Sequence, residues 1–333
     1  MSERTGLGPL ELAVLRSVSA TAGPTGRHAL TTTLLEHLEA VEGIGPAYGL
    51  TVAADLGSSW RVHLCLLDLE GNWGSVGGAP PADPSYTQVR LSPLGELALA
   101  CEERRVGPVP IALVDGSLYR GGKAPPLDPA RALRTVTALL EDDALPDADL
   151  PAMIALPSLP TGGTVFGDLE GLYAGRSARL LQSCAIMGEQ DPRGQLLVIT
   201  GTPLGVAVDQ ISRNLMDRAQ SEKLMEQRRL GHDPDHEFQV RGLEAPNWVA
   251  GLPSPIGLKD VRDETSGRGS RVVVVAEAGA DLDELQGWVR GVWPVTVQTS
   301  CRFTGGSGAV LRTWAGACRV DRSGLDKLTE LTS

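Results

Sequence analysis

The sequence has few lysines and no long hydrophobic run. Only four lysines occur in 333 residues, and the formal net charge is −11 at pH 7. Because no stretch of about 18 apolar residues is free of charge, the sequence predicts no membrane-spanning helix. The first residues, MSERTGLGPLEL, lack the basic and apolar regions of a signal peptide, so we expect a cytoplasmic protein.

Cysteine pairs with metal-ligand spacing are also lacking. The five cysteines are scattered and form no Cys-x-x-Cys, which favours buried thiols over a disulfide framework or a zinc site. His232 and His236 stand four residues apart, and a metal site there is the alternative to a solvated loop. Pro234 disfavours a helix that would bring both imidazoles to one face, so the loop is the favoured interpretation. We therefore expect no metal and no other cofactor to be bound by this chain.

Basic clustering, which is typical of nucleic-acid-binding proteins, is missing from the first third of the chain. Residues 1–112 contain seven arginines and no lysine against twelve acidic residues. Neutralisation of phosphates by lysine and arginine supplies most of the nonspecific affinity for DNA. The composition therefore predicts weak nonspecific binding to DNA.

Hydrophobic periodicity predicts a mixed α+β fold. Near-helical apolar spacing predicts helices at 7–18 and 28–41, and together with a third apolar stretch at 47–56 they suit a helix-turn-helix core. Trp60, Val62, Leu64 and Leu66 alternate with more polar residues and predict a strand, and the glycines and prolines of 67–84 predict a shaped loop. Further helices are predicted at 92–104, 130–141 and 206–228, and further strands near 109–114, 195–200 and 271–278.

Residues 66–91, LLDLEGNWGSVGGAPPADPSYTQVRL, resemble a specific segment of the A subunits of DNA gyrase and topoisomerase IV. That segment runs from D-x-x-G-N-[FW]-G-S to R-Y-T-E-x-R-L, and the spacing from Asp68 to Tyr86 matches it without a gap. Three further segments resemble the family in the same order along the chain: GLGP at 6–9, LPTGGTVFG at 159–167 and IGLKDVRDETSGRGSRVVVV at 256–275. Together they extend over roughly residues 6–303.

The resemblance implies a winged-helix DNA-gate domain at 1–112, an α/β tower domain at 113–312 and a C-terminal tail at 313–333. Residues 305–333 lack sustained heptads, so no coiled-coil exit gate is expected and the chain resembles a truncated, divergent A-type chain of this family. Tyr86 would be the nucleophile that cleaves DNA and forms a phosphotyrosyl bond. Mg²⁺ and ATP would belong to a partner B subunit, and a homodimer would form through the winged-helix domain.

Several positions depart from the family pattern. Ser85 replaces the arginine that precedes the tyrosine, VEGIGP at 41–46 replaces Y-H-P-H-G-D, and Glu11-Leu12-Ala13 replaces a basic pair in the first gate helix. The wedge motif that kinks DNA is also missing, and the remodelled loop offers Tyr119 and Arg120 as candidate DNA contacts. The cationic helpers of Tyr86 are thus largely absent.

The remaining candidates concern the surroundings of Tyr86. Arg90 either lends positive charge or forms a structural salt bridge. The loop-shaping residues are expected to be Gly71, Asn72, Trp73 and Gly74.

Two functions stay open. One is DNA breakage and rejoining through Tyr86 with a separate B subunit. The other is a catalytically degenerate interaction module that pairs with, or regulates, a true topoisomerase. The candidate partners are double-stranded DNA, a B subunit or a gyrase A subunit.

Overall fold

A computed structural model describes residues 2, 4–22, 27–109, 111, 126–142, 144–146, 149–150, 153, 157–173, 175–191, 194–229, 257–266, 269–301 and 306–332. The candidates Tyr119 and Arg120 lie outside the described residues, as do His232 and His236. Most of the strand predicted near 109–114 also lies outside them.

The fold is mixed α+β, as predicted. The helices of the described chain are α1 (Pro9–Ala22), α2 (Thr31–His37), α3 (Pro46–Gly57), α4 (Pro93–Glu102), α5 (Pro129–Glu141), α6 (Leu169–Tyr173), α7 (Val208–Arg229), α8 (Leu282–Gly291), α9 (Gly306–Val320) and α10 (Ser323–Thr332). The strands of the described chain are β1 (Ala29–Leu30), β2 (Leu67–Glu70), β3 (Gln88–Leu91), β4 (Thr164–Gly167), β5 (Ala178–Ser183), β6 (Ala185–Asp191), β7 (Gly194–Gly201), β8 (Leu258–Asp263), β9 (Val272–Ala276) and β10 (Thr296–Cys301). A π-helical turn, Leu38–Glu42, continues α2, and a 3-10 turn, Pro84–Tyr86, precedes β3.

The helices predicted in the first hundred residues are present because their apolar spacing builds one buried face. In α1 that face is Leu12, Val14, Leu15 and Val18, and Pro9 fits the first helical turn because its missing N–H would be unpaired there anyway. The α4 helix begins after Ser92, whose hydroxyl accepts the Gly95 N–H at 3.1 Å as an N-cap.

The strand predicted from Trp60 to Leu66 is wrong. Val62, Leu64 and Leu66 are buried as the alternation predicted, but the Arg61 and Val62 amides both donate to the Ser58 carbonyl, so the chain turns there. Regular pairing starts instead at β2, inside the segment predicted as loop, because β2 finds β3 as a partner. The side chains of this segment alternate between buried and more exposed, as in a strand, but the segment has no neighbouring strand to pair with in the described part of the chain.

Three small antiparallel sheets organise the strands of the described chain. Their strand orders are β1-β3-β2, β10-β5-β4 and β6-β7-β9-β8. In the first sheet Asp68 pairs with Arg90 and Glu70 with Gln88, while Ala29 pairs with Val89. Residues 68, 70, 88 and 90 therefore share one face, and Val89 points to the buried face.

Two large groups of buried apolar side chains hold the fold together. The first core joins α1–α4, the sheet β1-β3-β2, α5, β5, α9 and α10. The second core lies between the sheet β6-β7-β9-β8 and the helices α7 and α8. The predicted domain boundaries stay a prediction, but α9 runs through the expected boundary at 312/313, and the first core groups it with the N-terminal helices.

Helix α10, within the predicted C-terminal tail, lies against α4. The Ser323 hydroxyl accepts the Gly107 N–H at 3.0 Å, and Gly324 lies so close to the Gly107 carbonyl that no side chain fits between them. Leu325 and Leu328 are buried in the first core. The predicted tail is therefore part of the packed structure.

Three of the cysteines are buried free thiols, as predicted: Cys101, Cys184 and Cys318. Burial raises the pKa of the Cys184 thiol to about 12 and that of Cys318 to about 11, so both stay protonated near neutral pH. Within the described ranges, no helix is long and apolar enough to cross a membrane.

Candidate functional site

Tyr86 is presented to solvent at the start of the central strand of the first sheet. It ends the 3-10 turn Pro84–Tyr86, and the residue is 79% exposed. The Tyr86 N–H donates to the Asp83 carbonyl at 2.9 Å, which fixes the turn. Thr87, the next residue, is buried, and its hydroxyl donates to the Thr31 hydroxyl at 2.8 Å. An exposed phenol therefore stands on a firmly held backbone.

Gly71 packs directly against the backbone of Tyr86 and Thr87. Its φ is +91°, in the region that favours glycine. A Cβ atom at this position would lie 2.6 Å from the Tyr86 carbonyl oxygen and 3.3 Å from Thr87 Cα. The loop can approach the tyrosine this closely only because residue 71 has no side chain.

The remaining predicted loop-shaping residues, 72–74, hold the chain that leads away from Gly71. The Asn72 side-chain oxygen accepts the Gly74 N–H at 2.9 Å, and the Asn72 carbonyl accepts the Ala82 N–H at 2.8 Å. Trp73 is buried in the first core, where its indole N–H donates to the Glu70 carbonyl at 3.1 Å. Gly74 has φ +94°. These contacts hold residues 71–82 in an ordered loop, which we call the 71–82 loop.

Ser85 makes its hydrogen bonds to an acid. Its hydroxyl donates to the Asp83 carboxylate at 2.6 Å, and its amide donates to the same carboxylate oxygen at 2.9 Å. The Ser85 hydroxyl, and then its amide, lower the pKa of Asp83 because both donors favour the ionised form. The position before Tyr86 thus carries no positive charge, and it is bonded to a carboxylate.

Sequence reasoning missed Asp83. The available signal was Asp-Pro-Ser, since an aspartate two residues before a serine can accept both its amide and its hydroxyl.

Arg90 is paired across the sheet. Its Nε and Nη2 atoms lie 2.7 and 2.6 Å from the same Asp68 carboxylate oxygen, and both side chains are 43% exposed. His28 lies beside them, with Nε2 3.6 Å from Asp68 and Nδ1 3.5 Å from Glu70. The structural salt bridge, one of the two alternatives for Arg90, is therefore formed.

The segment 41–46, VEGIGP, is mostly exposed and contains one acidic residue, Glu42. It includes the end of the π-helical turn, which Gly43 closes with a φ of +69°. Val41 is 63% exposed, and Glu39 and Glu42 are exposed as well. No lysine or arginine occurs between residues 28 and 60. Within the described part of the chain, no group of three or more His, Cys, Asp or Glu side chains could hold a metal ion.

A cavity of about 340 Å³ lies between α3, the 71–82 loop and residues 205–207. Trp60 and Trp73 line it, together with the Asp55–Arg61 ion pair. Burial raises the pKa of Asp55, and the guanidinium of Arg61 at 2.5 Å partly opposes that rise. Two of the predicted loop-shaping residues, Trp73 and Gly74, line this cavity, and the Tyr86 phenol does not.

Comparison with known proteins finds similarity to topoisomerase A subunits. No protein-family model matches it. The DNA gyrase A subunit of Kosmotoga olearia is 26% identical over 242 residues, which are 65% of this chain and 26% of that protein. The DNA topoisomerase 4 A subunit of Bacillus subtilis is 25% identical, covering 68% of this chain and 27% of that protein. The DNA gyrase A subunit of Streptomyces coelicolor is 26% identical over 68% of this chain and 26% of its own length.

The chain is therefore similar to the A subunits of DNA gyrase and topoisomerase 4, at about a quarter identical residues over roughly two thirds of its length. More specifically, it is a divergent relative of the DNA gyrase and topoisomerase IV A subunits. It spans about a quarter of the length of the relatives it matches.

Proposed function

We propose that this chain is an A-type component of a type IIA topoisomerase, with Tyr86 as the DNA-cleaving nucleophile. The observation that carries the proposal is the exposed phenol of Tyr86 on a turn fixed by Gly71 and Thr87. Residues 1–112 would act as a winged-helix gate and the following α/β part as a tower. Mg²⁺ and ATP hydrolysis are assigned to a partner B subunit.

The chemistry is a transesterification. The phenolic oxygen forms a bond to phosphorus while the bond to a deoxyribose oxygen breaks, and the phenolic proton is lost as the leaving oxygen gains one. A phenol has a pKa near 10 in water, so the reaction at neutral pH depends on nearby positive charge. Ser85 supplies none, and the Asp83 carboxylate beside it is negative.

The missing charge sets the expected rate. By analogy with the loss of an oxyanion donor, the activation free energy of cleavage should rise by about 2.7 to 4 kcal/mol, which slows cleavage roughly a hundredfold to a thousandfold. We therefore expect cleavage that is slow compared with that of the gyrase A subunits.

A covalent-complex assay tests the proposal. The protein is incubated with a gyrase B subunit, Mg²⁺ and labelled duplex DNA, trapped with denaturant, and compared with Tyr86→Phe. A weak adduct that depends on Tyr86 is expected, and Ser85→Arg combined with Asp83→Ala should increase it. If the wild-type protein and the double variant both form no more adduct than Tyr86→Phe, Tyr86 is not a nucleophile.

A noncatalytic interaction module is the second candidate, and the acidic surface favours it. Residues 28–60 lack lysine and arginine, and Val41 and Tyr48 are 63% and 62% exposed there. Such a module would pair with itself through the gate domain, or with a gyrase A subunit, without cleaving DNA. Binding of a purified gyrase A subunit by wild type and Tyr86→Phe alike, with no adduct from either, is the result expected of this candidate.

A further inference from the structure

The 71–82 loop joins the backbone of Tyr86 to the second core. At its base, Gly71 lies against the Tyr86 carbonyl. The two sides of the loop then meet repeatedly, through the Asn72 carbonyl and the Ala82 N–H at 2.8 Å, and through the Trp73–Pro81 bridge. Near the tip, the Ser75 N–H donates to the Ala79 carbonyl at 3.1 Å. The loop is therefore a hydrogen-bonded hairpin with the tyrosine at its base.

The tip of this hairpin holds the start of α7. The Val76 carbonyl accepts the Val208 N–H at 3.1 Å, and the Gly77 carbonyl accepts the Asp209 N–H at 3.2 Å. The first N–H groups of a helix have no partner within the helix, so these two carbonyls satisfy groups that would otherwise need water or a capping side chain. The hairpin tip and the helix start are therefore matched in position.

The hairpin is also anchored by side chains in both cores. Trp73 is 5% exposed and belongs to the first core. Val76, three residues later, packs against the second core, which contains Val208 and Ile211 of α7. An extended chain rises about 3.3 Å per residue, so the two anchors are at most about 10 Å apart along the hairpin. A displacement of the second core relative to the first must act on the hairpin, because the two anchors are so close together.

We propose that Val76 is a positioning residue for Tyr86, and that it makes the position of the tyrosine depend on the second core. The proposal rests on the proposed function only in taking Tyr86 as the reactive group. Val76 touches no reacting atom in this account. It acts through the hairpin, by keeping Gly71 in place beneath the Tyr86 carbonyl.

Amide hydrogen exchange of the protein without DNA tests the coupling. Val76→Ser removes the apolar anchor, and Val76→Ile retains it. Val320→Ser is the matched control, because it makes the same change at a residue that is 89% exposed. In Val76→Ser we expect exchange about fivefold faster, the factor that corresponds to about 1 kcal/mol, at the start of α7 and also at the Ala82 and Tyr86 amides.

The distribution of faster exchange distinguishes coupling from general destabilisation. Val76→Ile and Val320→Ser should exchange like the wild type, and the α1 amides should be unchanged in all three variants. Faster exchange confined to the hairpin tip and α7, with the Ala82 and Tyr86 amides at wild-type rates, would overturn the proposal. Equal acceleration in α1 would overturn it as well, since Val76 would then be an ordinary stability residue. Neither result depends on whether Tyr86 forms an adduct with DNA.

Discussion

Replacement of Gly71 by alanine tests whether this residue supports Tyr86. With φ at +91°, alanine would adopt a conformation that costs L-residues about 1–2 kcal/mol. Its Cβ would also lie 2.6 Å from the Tyr86 carbonyl oxygen, a backbone atom that cannot rotate away. Relief of that overlap requires a backbone shift of comparable cost, so we expect a total loss of about 2–4 kcal/mol.

The loss is measurable as a change in Tm, and its location by hydrogen exchange. At about 2–4 °C per kcal/mol, Tm should fall by roughly 5–15 °C, with the largest gain in exchange at the Tyr86 amide. Gly287→Ala provides a control of opposite sign. Its Cβ meets nothing within 4 Å, and a helical glycine changed to alanine should stabilise the protein by up to about 1 kcal/mol. A wild-type Tm and wild-type exchange in Gly71→Ala would refute the support assigned to Gly71.

Three further predictions concern the same region. Ser85→Ala should raise the pKa of Asp83 in an NMR titration and leave unchanged the pKa of Asp321, which Ser323 lowers in the same way. Because folding lowers the Asp83 pKa, the contribution of Asp83 to stability is present above its unfolded pKa and is lost as pH falls through its folded pKa. An Asp83 pKa that does not change in Ser85→Ala would refute the hydrogen bond from Ser85 as the cause of the lowering. Trp73→Phe should lower the free energy of unfolding by about 1–3 kcal/mol in a denaturant titration, since it removes the bond to the Glu70 carbonyl and leaves space in the first core; an unchanged midpoint would contradict this. The plot of log binding constant against log salt for duplex DNA should have a slope shallower than about −3, whereas a slope near −5, equivalent to about six phosphate contacts, would contradict the account of an acidic surface.

Local sequence patterns predicted α1, α2, α4, α5 and α7, but no helix was predicted over α6, α8, α9 or α10. The residues that form the apolar stripe of α1 are close together in the sequence, and so are the residues that cap the start of α4. A short stretch of sequence therefore suffices to predict each of these helices. The 60–66 segment shows where such reasoning stops. Val62, Leu64 and Leu66 alternate into the core, but a strand also needs a partner, and the partner of β2 lies some twenty residues further along the chain.

The sequence predicted Tyr86 and the loop beside it as candidates, but it did not predict which charged groups surround them. A motif match located Tyr86 and the residues that shape its loop, because their spacing is local. The Arg90–Asp68 pair depends on strand register, and the bond from Ser85 to Asp83 depends on the backbone conformation of one turn. Whether a charge is available to a ligand or already neutralised follows from such three-dimensional detail, which residue identity alone does not specify.

Helices α9 and α10 have a consequence for how the protein folds. They complete a core that also contains Leu7, and the bond between Gly107 and Ser323 closes a chain segment of more than two hundred residues. The entropy of closing a loop grows only with the logarithm of its length, so this closure costs little more in stability than a loop of half that size. Contacts of such long sequence separation slow folding much more than they weaken the folded state. During synthesis, part of the apolar surface of the N-terminal helices therefore stays exposed until α10 has emerged from the ribosome.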